Sequence, residues 1–207
     1  MASRSKNATR NIVWGITYKV STLLLPFIVR TVMIYSLGSE YLGLSSLFTS
    51  VLNVLSLAEL GVGSAMVYAM YKPVAEGDVD TVCALLNLYK KVYKIIGVII
   101  IVAGLAIMPF LRYFISGDVP DDVNIYVLFA IYLFNTAGSY LLFAYQASVL
   151  NASQRNDIAS KVNMFTGIAK NFLQITILLL WHNYYGYVIL LPITSYAANI
   201  ILAVCAR

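Results

Sequence analysis

The chain has 207 residues, 60% of them hydrophobic and only 11% charged, with a formal net charge of +5 and a mean hydropathy of +0.80. Soluble domains carry roughly 25% charged residues, and no water-soluble fold of this size hides so much apolar surface. A soluble domain is excluded, and the basic residues report membrane topology and contact with anionic lipid rather than nucleic acid.

A spanning helix needs roughly 20 mostly apolar residues, and the sequence offers six such stretches, at about 12–34, 43–69, 92–111, 124–149, 162–181 and 187–206. Alternating short strands are missing, so the predicted fold is all-α, a single polytopic six-helix transmembrane bundle over residues 1–207. Residues 1–11 are polar and basic, and the apolar run after them has no small-residue cleavage site, so it reads as a retained first helix. With the N-terminus inside, the inner segments hold Arg4, Lys6, Arg10, Lys72, Lys90, Lys91, Lys94, Arg155, Lys161 and Arg207, whereas the outer ones hold only Arg112 beside Asp118, Asp121 and Asp122. This bias places both termini in the cytoplasm. The inter-helix loops are short, which predicts that consecutive helices pack as neighbours.

In the first helix Trp14 is an interfacial anchor, and Lys19 and Arg30, about three turns apart, share one face. They read either as cations for a phosphate or carboxylate or as side chains snorkelling to headgroups. The second helix is interrupted by Glu59, Gly61 and Gly63. Glu59 reads as an ion-coupling carboxyl or as a partner of Lys19, Lys170 or freed backbone groups. Gly61, Ala65 and Ala69 form a small-residue ridge suited to close helix packing. Residues 83–94 are amphipathic, with Asn87, Lys90, Lys91 and Lys94 on one face and Leu85, Tyr89, Val92 and Ile96 on another; the segment reads as lying at the inner surface and leading into the third helix.

The fourth helix carries Asn135, Ser139 and Gln146 on one face, as cavity lining or as hydrogen-bonding partners across helices. In the fifth, Asn163, Gly167, Lys170 and Gln174 form a polar stripe at helical spacing. Lys170 lies too deep to snorkel easily, and a charge at that depth costs roughly 2.5–3.5 kcal/mol on insertion scales; it faces a cavity or pairs with a buried acid. Among the tyrosines, Tyr140, Tyr145 and Tyr196 suit sugar contacts or packing. Cys83 and Cys205 fall near the reducing face, so no disulfide is expected. His182 is the only histidine, and neither metal nor cofactor is expected. The glycosylation patterns at Asn7 and Asn151 lie inside and read as chance. No nucleophile triad, phosphate loop or pair of acids in a span is present, so an enzyme is not expected.

Residues 58–68 (AELGVGSAMVY), followed by YKPVA at 71–75, with LLPFIVRT at 24–31, YLGLSSL at 41–47 and LNASQRND at 150–157, resemble the start of Wzx-type oligosaccharide flippases, polysaccharide transporters of the multidrug/oligosaccharidyl-lipid/polysaccharide superfamily. The resemblance runs from about Arg4 onward. It implies movement of an undecaprenyl-diphosphate-linked oligosaccharide across the bacterial inner membrane, by alternating access, for O-antigen, capsule or exopolysaccharide assembly. Lys19, Arg30 and Lys170 then suit an anionic diphosphate or acidic sugar. Such proteins have two bundles, and this chain corresponds to the first; the implied partners are the lipid-linked oligosaccharide, membrane lipids, and a second half-bundle or polysaccharide-assembly proteins. A cation exporter of the same superfamily and a non-transporting scaffold are the alternatives. An exporter's cavity would be lined by acids, of which Glu59 alone is at hand.

Overall fold

The computed structural model describes residues 2–59, 61–115, 117–142 and 147–205. Leu60, Tyr145, Gln146 and Arg207 lie outside the described residues. What is described is helical, with no strand. The helices are α1 (Ala2–Ser36), α2 (Ser39–Ser56), α3 (Val62–Glu76), α4 (Val79–Ile107), α5 (Leu111–Phe114), α6 (Ile125–Leu141), α7 (Ala147–Ala152), α8 (Asn156–Trp181) and α9 (Tyr184–Cys205), with single 3₁₀ turns at Leu57–Glu59 and Met108–Phe110.

Four of the described helical stretches are long and apolar enough to cross a membrane: Ala8–Ser36, Val79–Phe114, Asn156–Trp181 and Tyr184–Cys205. The other two predicted spans are each interrupted, the first of them at the break expected from Glu59, Gly61 and Gly63. The stretch 43–69 is two helices, because Gly61 takes φ 86°, a left-handed backbone that favours glycine, and starts α3 afresh. The stretch 124–149 stops at Leu141, where Leu142 turns extended at ψ 90°; this leaves a helix of 17 residues although the apolar composition continues. The amphipathic segment 83–94 is the first half of α4, not a separate element. Its Lys90, Lys91 and Lys94 are exposed, while Tyr89 and Ile96 are buried.

Local signals explain the helix starts. The Asn124 side chain accepts from the Tyr126 and Val127 N–H groups, and Asp78 accepts from the Thr81 N–H at 3.0 Å, each occupying otherwise orphaned donors of a first turn. Hydrogen bonds from Thr81 hold the exposed Asp78 carboxyl below its ordinary value of 3.8. A carboxyl lowered by folding stabilises above its unfolded value and loses that contribution as the pH falls through the folded one. Asp78→Ala is therefore expected to speed amide exchange in the first turn of α4 at neutral pH, and the wild type is expected to approach the variant only in strong acid.

Consecutive packing is only part of the arrangement. The main partner of α1 is α8, not α2; α8 lies between α1 and α9, and α6 packs on both α9 and α4. The principal core gathers Val29, Met33, Phe48, Ile100, Phe129 and Tyr132, with Phe48 edge-on to Phe129 and Tyr132 at 5.5 and 5.6 Å. A second, smaller one joins α3, α4 and α7 through Met66, Met70, Tyr89 and Ala152. Where α6 meets α9, a Cβ on Gly138 would run into the Tyr196 ring, whose hydroxyl donates to the Phe134 carbonyl. Gly138→Leu is expected to cost about 1–3 kcal/mol through overpacking, seen as a lowered unfolding midpoint in detergent.

The α1–α8 pairing is pinned at one end by a polar junction. Asp157, 1% exposed, has Arg10 Nε at 3.0 Å, Arg155 Nε at 3.2 Å and Lys161 Nζ at 3.7 Å. The Arg10 contact is an ion pair whose N–H groups are not aimed along a hydrogen bond. The Asn11 side chain accepts from the Asp157 N–H and donates to the Gln154 carbonyl, and Lys161 sits 4.6 Å over the Trp14 ring.

Candidate functional site

Helix α8 presents its polar residues on one face because Asn163, Gly167, Lys170 and Gln174 recur at spacings of four, three and four. Two adjoining cavities open along that face. The larger, about 330 Å³, lies among α1, α8 and α9, with Tyr18, Thr22, Asn163, Lys170, Thr194 and Asn199 in its wall. The smaller, about 150 Å³, is lined by Arg30, Ser45, Thr49, Tyr132, Gln174 and Tyr187. Lys170, Asn171 and Pro26 belong to both. Proline has no N–H to offer the carbonyl four residues earlier, so Pro26 leaves the Thr22 carbonyl without that helical partner, next to the larger cavity.

Lys170 lies fourteen residues into the 26-residue α8 and is half-buried. Every ion pair among the described residues involves other side chains, and Lys170 makes no hydrogen bond there. Among the described residues no aspartate or glutamate lines either cavity. The surrounding amides are held in place: Gln174, 2% exposed, donates to the Tyr187 carbonyl at 3.3 Å, and Asn171, 6% exposed, to the Gly167 carbonyl at 2.7 Å. Ser45 and Tyr132 hydrogen-bond at 2.8 Å. Beyond them the tyrosines close this end of the bundle. Tyr41 donates to Asp122, Tyr184 donates to the Tyr41 carbonyl, and the Tyr184 and Tyr187 rings stack at 5.8 Å.

The structure thus brings Arg30, Lys170, Asn163 and Gln174 to one polar tract. Lys19 is exposed on α1 and lines neither cavity, because its Cα lies a quarter turn or so from the wall residue Tyr18. Asn135 also lies outside both; it is half-buried on α6, with its Oδ1 enclosed and without a hydrogen bond. Glu59 makes no ion pair among the described residues. It accepts from the Tyr93 hydroxyl at 2.9 Å, so the break between α2 and α3 is tied to α4 rather than to Lys19 or Lys170. A Cβ on Gly63 would stand in ordinary contact with Tyr93 Oη, at 3.4 Å, so the approach does not itself demand glycine there. Ala65 and Ala69 are exposed, and nothing lies within 4 Å of where a Gly61 Cβ would be. Their ridge is therefore not a packing seam within the described chain; Met66 and Met70, on the other side of α3, are.

The sequence reading missed Asn171, Tyr18, Thr22, Thr194 and the Ser45–Tyr132 pair. The polar residues Thr194, Ser195 and Asn199 on α9, at helical spacing, were the legible signal. In the comparisons with known proteins, no family model matches the chain, no curated protein matches it and no solved structure matches it.

Proposed function

We propose that this chain is a lobe of a multi-pass flippase of the bacterial inner membrane, moving an undecaprenyl-diphosphate-linked oligosaccharide across it by alternating access for surface polysaccharide assembly. The observation that carries this reading is Lys170: a cation halfway along an apolar helix, open to two cavities and without a carboxylate partner among the described residues. A charge at such depth is costly and is kept for a substrate or ion pathway. Arg30 on the second cavity, and the lack of acids in both linings, favour an anionic substrate over a cation. Six crossings follow if α2 with its continuation α3, and α6, add to the four long helices. The basic ends near Arg10, Lys90 and Arg155 then face the cytoplasm with both termini.

A second reading, a membrane scaffold, draws on the exposed Gly61–Ala65–Ala69 ridge, a surface suited to another helix. Complementation separates the two. The chain, alone and joined to a second six-helix lobe, is expressed in a bacterium deleted for its own polysaccharide flippase, and surface polysaccharide is assayed. Rescue that disappears with Lys170→Ala at equal membrane levels is the expected result. Rescue indifferent to Lys170 but abolished by Ala65→Leu establishes the scaffold.

A further inference from the structure

A third cleft, about 570 Å³, lies where α3, α4, α7 and the first turn of α8 meet, and its chemistry differs from that of the Lys170 cavities. Ser64, Tyr68, Tyr71, Tyr93, Asn151 and Asn156 line it, and among the described residues no charged one does. The Tyr68 and Tyr71 rings stand nearly perpendicular, 6.4 Å apart at 84°. Tyr68 is 78% exposed and Tyr71 47%, so both offer open ring surface. Tyr93 is held by its bond to Glu59. The side-chain amides of Asn151 and Asn156 make no hydrogen bond among the described residues; each can donate twice and accept through its oxygen.

A ligand fitting this lining is uncharged, carries many hydroxyls, and has flat apolar faces to lay on a ring. Charge recognition is absent, and a purely apolar ligand would strand the amides. Tyrosines of an interfacial belt account for ring exposure but not for two unpartnered asparagines and a serine converging on the same cleft. Asn156 also belongs to the polar face of α8: it precedes Asn163 by seven residues and Lys170 by fourteen, spacings that return to one side of a helix.

We infer that this cleft is a sugar-ring subsite, holding a neutral sugar by stacking on Tyr68 and Tyr71 and by hydrogen bonds to Asn151 and Asn156. This assignment rests on the flippase reading for its place in the transport of a sugar-bearing lipid, with the cations of α1 and α8 holding the charged group and the cleft an uncharged ring further along α8. The test uses the purified chain in nanodiscs, titrated separately with free maltotriose, cellotriose, N-acetylchitotriose and inorganic pyrophosphate, and followed by saturation-transfer NMR with helicity checked by circular dichroism. At least one trisaccharide is expected to bind. Tyr68→Ala and Asn156→Ala are expected to weaken it about fivefold each, the factor given by losing a contact of about 1 kcal/mol, while Lys91→Gln, at an exposed position of α4 outside all three clefts, leaves it unchanged. No binding by any of the trisaccharides, or binding indifferent to Tyr68→Ala and Asn156→Ala in folded protein, overturns the subsite. Pyrophosphate is the control for the parent reading: if it fails to bind while the tyrosine and asparagine effects hold, the cationic site falls and the sugar subsite stands.

Discussion

Asp157→Ala is expected to destabilise the chain by about 2–4 kcal/mol, more than the loss of any one of its partners. The carboxylate is 2% exposed and serves Arg10, Arg155 and Lys161 together, whose side chains are 30, 45 and 37% exposed. Removing one cation leaves the buried acid two others. Removing the acid leaves three cations facing one another, with Arg10 Nη2 enclosed and without a hydrogen bond. The figure is set about 1 kcal/mol below the range for fully buried pairs because the exposed cations are partly screened by water. The loss falls on the junction that fixes the start of α1 on α8, so the thermal midpoint in detergent drops and exchange of the Asp157 amide, held by Asn11, accelerates. Arg155→Gln and Lys161→Gln are each expected to cost less than about 1 kcal/mol. Equal losses from Asp157→Ala and Arg155→Gln would show that the carboxylate is not the hub of the junction.

The parts legible in the sequence are those governed by local periodicity. The stripe Asn163–Gly167–Lys170–Gln174 could be read because a helix returns to one face at those spacings, and the faces of residues 83–94 for the same reason. The break after the second helix showed in Gly61, whose left-handed backbone ends one helix and starts another. Hydropathy misled where the backbone leaves the helix without leaving the apolar phase. From Leu142 onward the composition stays hydrophobic while α6 has ended, so the stretch 124–149 looked like a long span. Partnership across the bundle was not legible. Glu59 was left open between ion coupling and a partner in Lys19, Lys170 or the backbone freed at the break, yet its partner is a phenol on α4, 34 residues away. The ridge of Gly61, Ala65 and Ala69 was ambiguous because small residues suit both a tight seam and an open surface. The pairing of α1 with α8 brings Tyr18 and Thr22 to Lys170, and no local pattern encodes it.

Lys170→Gln is expected to separate stability from function. A lysine paired with a buried acid would leave an uncompensated charge when removed and destabilise the fold. Lys170 has no such partner among the described residues, and the charge itself is costly in the apolar part of a helix. Glutamine keeps much of the length and the hydrogen-bonding capacity, so the thermal midpoint should stay level or rise. Transport, read as surface polysaccharide at matched protein levels, should fall roughly ten- to hundredfold, the equivalent of one charge-assisted hydrogen bond to a phosphate. Lys170→Arg should retain part of the flux because the charge remains, and Arg30→Gln should give a smaller loss because Arg30 is the more exposed of the two. A Lys170→Gln protein that unfolds would assign the lysine a structural role. A stable one with undiminished flux would mean that the cation does not touch the substrate, and the proposed function would lose the observation that carries it.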